Sequence, residues 1–480
     1  MTKLEKAKQY EKEHQLSEDQ LPAFHYAAPI GWINDPNGFS FFDGKVHLFA
    51  QYHPYNNQWG PMHWLHQTTE NFIDWTLEGC ALAPDQDYDH AGVFSGSAIE
   101  KDGKHFLMYT GVRKDENGEF QQQCLAIGDG KNYEKLKNNP VIPTSLIPQG
   151  FSEIHFRDPK VWKEGDRYFV VCGSLDEKGQ GQAILFSSDD LMNWKFENVM
   201  AHSKGTFGSM WECPDFFELD GTPILMFSPQ DMRAKGLEFH NGHNSVWLTG
   251  PFENHQFKDF TAHSLDYGLD FYAPQSVLLP DGRRVMIAWM ASWDNPIFKK
   301  DFDFAGQMTF PREIWMQEGK LMQKPVRELE ENRINPVHLS DIKIDGTFKN
   351  EKIAGRCSEL IIRFKETQNL SALILGLAKS EKEEFESTLT WYTHQNLLEF
   401  DRTWSGMTSD SNAIRRAKAP EGGIQEIRVL IDRFSIEIFI NDGEMVMSNA
   451  ITTPIFADEI EIETIGSCKA DIDFYTIQTK

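Results

Sequence analysis

The chain has 480 residues, of which 40% are hydrophobic and 25% are charged, a composition typical of a globular protein with two or three domains. Lys and Arg total 47 against 72 Asp and Glu, so the formal net charge is −25, which disfavours binding to nucleic acid or to anionic membranes. No run of about 18 apolar residues occurs, which excludes a membrane-spanning helix.

Residues 1–22 predict an N-terminal helical extension. The segment "MTKLEKAKQYEKEHQLSEDQ" is charged, lacks the apolar core of a signal peptide and leads to Pro22, near which we expect the helix to end. The chain has six cysteines without a CxxC pair: Cys80, Cys124, Cys172, Cys213, Cys357 and Cys468. Free thiols without an export signal favour a cytoplasmic location, although a secreted chain whose signal had been removed would look the same.

A hairpin pattern repeats over residues 23–325. In five segments, apolar residues flank an acid-Gly turn, and the turn acids are Asp43, Asp102, Glu164, Asp220 and Asp281. Aromatic residues keep the same period of about 60 residues at Trp75, Tyr133, Trp194 and Phe257. Several short strands per unit of this length are typical of a propeller blade, so the sequence predicts an all-β fold that begins with a five-bladed β-propeller.

The pattern changes after residue 325. A charged linker is predicted at 326–340, and residues 341–480 contain short, closely spaced strand patterns without the 60-residue period. Such strands are typical of an antiparallel sandwich. We therefore expect a C-terminal β-sandwich.

Three acids occupy similar positions in different repeats. Asp35 lies eight residues before its turn acid, Asp158 six residues before and Glu212 eight residues before. Because the inner strand of each propeller blade begins at the same end of the central channel, we expect these carboxylates to converge. The matching segments of the second and fifth repeats, "VFSGSA" (93–98) and "YAPQS" (272–276), supply polar and aromatic residues suited to a sugar.

Clustered carboxylates suit either a metal or acid-base chemistry. The metal alternative has weak support, because "DQDYDH" (85–90) has His90 where a calcium loop needs Gly, and His63 and His66 lack the Glu of a zinc-protease helix. No phosphate or dinucleotide loop occurs, so neither metal nor cofactor is expected. Two carboxylates across a bond fit glycoside hydrolysis, in which one acid is ionised and burial can raise the pKa of the other, which donates a proton.

These motifs resemble glycoside hydrolase family 32, the family of invertases, levanases, inulinases and sucrose-6-phosphate hydrolases. The similar segments follow the family's order over nearly the whole chain: "WINDPNG", "FSGSA", "FRDP", "WECPD", "YAPQS", "MTFPRE" and "DRFSIEIFINDG". The resemblance implies a five-bladed propeller with a C-terminal sandwich, which agrees with the repeat pattern. It departs from the family at "WLHQTT" (64–69), where Leu65 replaces a usual Gly on what we expect to be the leaving-group side.

The resemblance also implies residue roles in a retaining mechanism through a covalent fructosyl-enzyme. Asp35 would be the nucleophile, Glu212 the acid and then the base, and Asp158 the transition-state stabiliser. The implied sugar-binding residues are Trp32, Ile33, Asn34, Gln51, Trp59, Phe94, Ser95, Arg157, Tyr272 and Trp293. Trp59 and Trp293 could instead be core aromatics, and Arg157 could only pair with a neighbouring acid.

The sequence thus predicts a β-fructofuranosidase that releases terminal β-D-fructofuranosyl units. Its predicted substrate is a small sugar: sucrose 6-phosphate slightly ahead of sucrose, or short fructo-oligosaccharides. A fructosyltransferase that uses the same intermediate is one alternative, and a non-catalytic fructan-binding propeller is another. A homodimer is also possible.

Overall fold

The computed structural model describes residues 1–116, 118–294, 297, 302–406 and 412–479. Its N-terminal helix, α1 (Lys3–His14), begins with a capping box in which Thr2 and Glu5 satisfy each other's backbone N–H groups at 3.1 and 2.7 Å. The helix ends at His14, earlier than Pro22, because the chain then turns to pair Leu16 N–H with Pro29 O at 2.9 Å. Short 3₁₀ turns occur at Glu18–Gln20, Thr144–Leu146, Arg327–Asn332 and Thr393–Gln395.

Five antiparallel sheets form the blades of a β-propeller, which confirms the predicted fold class. Blade one contains β1 (Gly31–Phe42), β2 (Lys45–His53), β3 (His63–Thr69) and β4 (Thr76–Leu82). Blade two contains β5 (Gly92–Lys101), β6 (Lys104–Asp115), β7 (Gly118–Gly128) and β8 (Tyr133–Lys135). Blade three contains β9 (Phe156–Glu164), β10 (Arg167–Leu175), β11 (Gly181–Ser188) and β12 (Lys195–His202).

The last two blades are less regular. Blade four contains β13 (Trp211–Leu219), β14 (Thr222–Pro229) and β15 (Val246–Thr249), then a small hairpin of β16 (Phe252–Glu253) and β17 (Gln256–Phe257), and finally β18 (Thr261–Ser264). Blade five contains β19 (Tyr272–Leu278) and β20 (Arg284–Trp289), and after β21 (Phe304–Ala305) it continues with β22 (Arg312–Gln317) and β23 (Lys320–Pro325). The short β21 lies between β20 and β22 in the sequence, but it pairs in parallel with β1. This pairing attaches the segment between the two halves of blade five to blade one.

The acid-Gly turns explain the hairpins that open blades one, two and four. Asp43, Asp102 and Asp220 have φ between +46° and +52°, and the glycine after each also has positive φ. Two successive residues with positive φ match the twist of the flanking strands, and Asp with Gly adopts this conformation at low cost. These local signals are why the period could be read from the sequence.

The C-terminal strands form a β-sandwich from one folded-over sheet of nine strands. These are β24 (Arg333–Ala354), β25 (Ser358–Ser380), β26 (Phe385–Tyr392), β27 (Leu397–Trp404), β28 (Ile414–Lys418), β29 (Glu426–Asp432), β30 (Ser435–Ile440), β31 (Met445–Ala450) and β32 (Glu459–Ile477). Three of them, β24, β25 and β32, have 22, 23 and 19 residues rather than the short length we expected. Repeated bulges bend these strands. The predicted linker, 326–340, contains a 3₁₀ turn and the start of β24.

A buried ionic network joins the propeller to the sandwich. His25, which precedes blade one, lies 2.7 Å from Asp432 Oδ2 and 2.8 Å from Glu437 Oε1. Arg312 of blade five donates to Glu437 Oε2 at 2.6 Å and to Asp266 Oδ2 at 3.0 Å. All of these side chains are essentially inaccessible to solvent. Buried charges are tolerated only when they are paired, so the network ties the orientation of the two parts to specific partners.

Candidate active site

The end of the propeller channel at which the five inner strands begin carries a β-bulge in every blade. The register of β1 shifts between Ile33 and Pro36, and β5, β9, β13 and β19 shift at corresponding points. Asp158, Cys213 and Ala273 lie in these bulges with φ of +63°, +50° and +53°. A bulge turns a side chain out of the normal alternation of a strand. The bulges therefore allow several blades to direct polar side chains toward one point.

Asp35 is buried, and one of its oxygens is occupied by donors. Its Oδ2 accepts hydrogen bonds from Ser95 Oγ at 2.6 Å and Gln51 Nε2 at 3.1 Å, and the Cys213 thiol lies 3.5 Å away. Its Oδ1 has no hydrogen-bond partner among the described residues. Burial, together with repulsion from Glu212, raises the pKa of Asp35. The carboxyl is thus held in one orientation while one oxygen is left without a partner.

Glu212 is held by two groups that favour its ionised form. Its Oε1 accepts hydrogen bonds from Nε and Nη2 of Arg157 at 3.1 and 2.8 Å, and its Oε2 accepts one from the Tyr272 hydroxyl at 2.6 Å. Burial by itself raises the pKa of Glu212, but Arg157 and Tyr272 outweigh burial and hold that pKa below its usual value. The expectation that burial raises the pKa of the proton donor is wrong for this arrangement, because it left out the guanidinium.

Asp158 completes a cluster of three carboxylates. Its Oδ2 accepts a hydrogen bond from Cys213 N–H at 2.9 Å and lies 3.9 Å from Arg157 Nε. Burial raises the pKa of Asp158 to about 7, with repulsion from Glu212 and Asp35 adding to this and Arg157 opposing it. The Cys213 backbone and thiol therefore lie between Asp158 and Asp35. Because the three acids interact, their protons belong to the group rather than to one residue.

A buried ion pair crosses the channel among the same inner strands. Lys160 Nζ lies 3.1 Å from Asp215 Oδ2 and donates to Gln275 Oε1 at 3.2 Å and Ser276 O at 2.8 Å. These four residues come from β9, β13 and β19. Lys160 and Asp215 follow Asp158 and Glu212 by only two and three residues in the sequence. The ion pair therefore helps to fix the positions of these carboxylates relative to one another.

Aromatic rings gather beside the acids. Trp32 stacks on Trp293 with ring centroids 5.9 Å apart and meets Trp289 edge-on at 5.7 Å. The indole Nε1 of Trp32 donates to Asn34 Oδ1 at 2.9 Å, which orients Asn34 next to Asp35 in the chain. Trp289 is buried, whereas Trp32 and Trp293 are partly exposed. Partly exposed indoles can cover the apolar face of a sugar while amides bind its hydroxyls.

The remaining predicted binding residues fall into two situations. Trp59 is 49% exposed and contacts Phe94 at 5.9 Å, so it lies at the surface and is not a core aromatic. Ile33 is fully buried within the apolar core that contains Trp289. That position favours a packing role for Ile33, because strand alternation directs its side chain away from those of its neighbours.

Sequence reasoning missed residues that support the acids from other strands. Gln121 Oε1 and His155 Nδ1 each lie 3.3 Å from Arg157 Nη1. The His243 ring meets Tyr272 edge-on at 5.7 Å. Gln121 belongs to the third strand of blade two, whereas the repeat comparison covered only the inner strands. No motif in the sequence therefore pointed to it.

The described part of the chain contains no group of three or more His, Cys, Asp or Glu side chains with a geometry suited to a metal ion. The thiol of Cys213 is not a candidate nucleophile, because burial raises its pKa far above the usual value. None of the described helices is both long enough and apolar enough to span a membrane.

Comparison with known proteins shows the family and the fold. The family model for the Glycosyl hydrolases family 32 N-terminal domain matches residues 25–325, and the model for the family 32 C-terminal domain matches residues 328–477. A sucrose-6-phosphate hydrolase of Escherichia coli is 38% identical over 444 residues, which cover 90% of this chain and 89% of that protein. A raffinose invertase of Escherichia coli is 37% identical over 447 residues, with 90% and 89% coverage.

A solved structure has the same fold over its whole length. The GH32 beta-fructofuranosidase of Bombyx mori superposes with a TM-score of 0.87 at 30% sequence identity, and the match covers 99% of this chain and 98% of that one. The propeller and the sandwich therefore occur together, in the same arrangement, in that protein.

Proposed function

Because the chain belongs to glycosyl hydrolase family 32, we propose that it is a retaining β-fructofuranosidase whose substrate is sucrose 6-phosphate, with sucrose as a second substrate. Relatives named as sucrose-6-phosphate hydrolases and as a raffinose invertase support hydrolysis of this bond type. One structural observation carries the mechanism: Asp35 keeps Oδ2 bound to donors and Oδ1 without a partner among the described residues. An oriented carboxylate with one free oxygen is what a nucleophile requires.

In the first step, Asp35 Oδ1 attacks the anomeric carbon of the fructosyl unit. The bond from that carbon to the bridging oxygen breaks, and Glu212 donates its proton to this oxygen, so the other sugar leaves as an alcohol. The products of this step are a fructosyl ester on Asp35 and an ionised Glu212. Asp158, fixed by Cys213 N–H, binds fructose hydroxyls and stabilises the positive charge that develops on the ring.

In the second step, Glu212 takes a proton from water, and the water oxygen attacks the anomeric carbon of the ester. Asp35 leaves as a carboxylate, and Glu212 is protonated again, which restores the starting state. Two inversions at the same carbon give net retention. Esterification removes the charge of Asp35, so repulsion no longer favours a proton on Glu212, and Arg157 and Tyr272 stabilise the ionised base.

The pKa shifts of Asp35 and Glu212 show that substrate binding must change the protonation states of the two acids. Asp35 has a raised pKa and Glu212 a lowered one, yet attack needs the first ionised and the second protonated. The productive state is therefore one of several ways to distribute protons among the three acids. Substrate hydroxyls that donate to Asp35 or Asp158, and a glycosidic oxygen that accepts from Glu212, favour that distribution.

Methanolysis tests the mechanism. With methanol in the reaction, a fructosyl-enzyme attacked on one face gives methyl β-D-fructofuranoside, which NMR distinguishes from the α anomer. The β anomer is expected, and the α anomer would contradict a covalent intermediate on Asp35.

Substrate preference needs a separate measurement. Comparison of kcat/KM for sucrose 6-phosphate and sucrose should give the larger value for the phosphorylated sugar. An equal or smaller value would make sucrose the principal substrate and would leave the hydrolytic chemistry intact.

We also infer a cytoplasmic enzyme. The six cysteines are free, and five of them are buried, a state that suits a reducing compartment. A homodimer stays a prediction, which the mass of the protein in solution can test.

A further inference from the structure

A cavity of about 440 Å³ lies between the propeller and the edge of the sandwich. The loop after β14 forms one wall, the connection before β19 forms another, and β28 forms the third. The side chains that matter for its chemistry are Leu237, Glu238, Asn241, Tyr267, Ile414 and Arg415. These differ from the residues around Asp35, Asp158 and Glu212. A cavity of this size can hold one small organic molecule.

Arg415 is a cation without a hydrogen-bonded carboxylate in the described part of the chain. Its side chain forms no ion pair with the residues described, and its Nε is enclosed without a hydrogen-bond partner there. The two arginines nearest to it in the fold differ, because Arg416 donates to Glu399 at 2.6 Å and Arg402 pairs with Asp270. Arg416 also lines the cavity, but its side chain is 58% exposed and already has Glu399 as its ion-pair partner.

The carboxylates close enough to act on Arg415 are committed elsewhere. Asp270, which has the strongest effect on Arg415, pairs with Arg402. Asp266 accepts from Arg312 at 3.0 Å, and Asp294 is bound by His243 through both oxygens at 2.9 and 2.6 Å. Burial lowers the pKa of Arg415, Asp270 opposes this as the strongest of the neighbouring charges, and the cation Arg402 acts in the same direction as burial. A partly buried guanidinium that lacks a hydrogen-bonded anion costs free energy, and a bound anion would remove that cost.

The other walls suit a sugar attached to the anion. Leu237 and Ile414 are large apolar side chains, exposed by 44% and 48%, and Tyr267 adds an aromatic ring. The Glu238 carboxylate, which accepts the Tyr267 hydroxyl at 3.1 and 3.2 Å, has lone pairs that can accept from sugar hydroxyls. The Asn241 side-chain oxygen accepts Ala234 N–H at 2.8 Å, so its amide hydrogens face other acceptors.

We propose that this cavity binds a sugar monophosphate, with the phosphate on Arg415 and the sugar ring between Leu237, Ile414 and Tyr267. Arg415 supplies a planar fork that can bind two phosphate oxygens. Glu238 and Asn241 bind hydroxyls of the ring. The site is separate from the catalytic acids, so binding here does not require the proposed hydrolysis to be correct.

Calorimetric titration of the full-length protein with glucose 6-phosphate and with inorganic phosphate tests the proposal. We expect glucose 6-phosphate to bind, and Arg415→Gln to weaken it by at least about tenfold, because hydrogen bonds to a charged group are strong. Lys382→Gln is the charge-matched control, because Lys382 is 91% exposed and lies outside the cavity, and this variant should bind as the unmodified protein does. Arg157→Gln removes the arginine of the catalytic cluster, and this variant should still bind glucose 6-phosphate. If it does not bind, the ligand lies among the catalytic acids and the proposal is overturned.

Three further results would also overturn the proposal. These are equal affinity in Arg415→Gln and the unmodified protein, no binding at millimolar glucose 6-phosphate, and equal affinity for inorganic phosphate and the sugar phosphate. If Arg415→Gln does not fold, Arg415→Lys keeps the charge and removes the fork. Its affinity should fall, and unchanged affinity in that variant would count against the site.

Discussion

Replacement of His25 by Gln tests the ionic network that joins the propeller to the sandwich. Asp432 and Glu437 raise the pKa of His25 from 6.5 to about 9, although burial of the imidazole opposes them. Each pKa unit is worth about 1.4 kcal/mol, so the imidazolium contributes about 3 kcal/mol to folding. Because the pKa is raised in the folded state, this contribution is complete below pH 6.5 and is lost as the pH rises through about 9.

The assay is urea unfolding of the unmodified protein and of His25→Gln at several pH values from 6 to 10. The other titratable groups are the same in both proteins, so their effects largely cancel in the difference between the two free energies of unfolding. The variant should be less stable by about 3 kcal/mol at pH 6, and this deficit should shrink toward zero above pH 9. His338→Gln is the control, because His338 pairs with Asp473 at 2.7 Å but is 57% exposed, and its loss should cost less than about 1 kcal/mol. A deficit that does not change between pH 6 and pH 10 would refute the reasoning.

Three other perturbations address the acids and the buried histidines. Asp35→Asn should lower kcat at least about 10⁴-fold without lowering Tm, since it removes a buried acid; near-normal turnover would contradict the nucleophile assignment. Glu212→Gln should lower kcat about 10²–10⁴-fold for sucrose and much less for an activated aryl β-fructofuranoside. Glu218→Gln is the control, because Glu218 is exposed on the same strand. Equal losses on both substrates would rule out Glu212 as the proton donor. Burial lowers the pKa of His105 to about 3, so its contribution to stability is complete above pH 6.5 and falls by about 1.4 kcal/mol at pH 5.5. His105→Gln should therefore lose less stability than the unmodified protein on acidification, and an equal loss would contradict the assigned shift.

The propeller could be predicted because its hairpins depend on local chemistry. Asp followed by Gly at residues 43, 102 and 220 adopts positive φ at two successive positions, and this requirement is visible in the sequence. The parallel pairing of Phe304–Ala305 with β1 was not foreseen, because it joins residues about 270 positions apart and has no local signal.

The candidate site could be predicted only in outline. Convergence of Asp35, Asp158 and Glu212 followed from repeat position, but the bulges that direct them depend on pairing with a second strand. The Arg157 fork on Glu212 crosses between blades, so the reversal of the expected pKa shift could not be read from spacing. Bends in β24, β25 and β32 likewise arise from their cross-strand register.

The central claim is that Asp35 forms a covalent bond to the fructosyl unit. Glu212→Gln can still react with an activated aryl β-fructofuranoside but cannot activate water efficiently, so the ester should accumulate. Rapid acid quenching followed by peptide mass spectrometry should then find one added fructosyl unit on the peptide that contains Asp35. Absence of the adduct while the aryl group is released in a burst, or an adduct on another residue, would contradict the account.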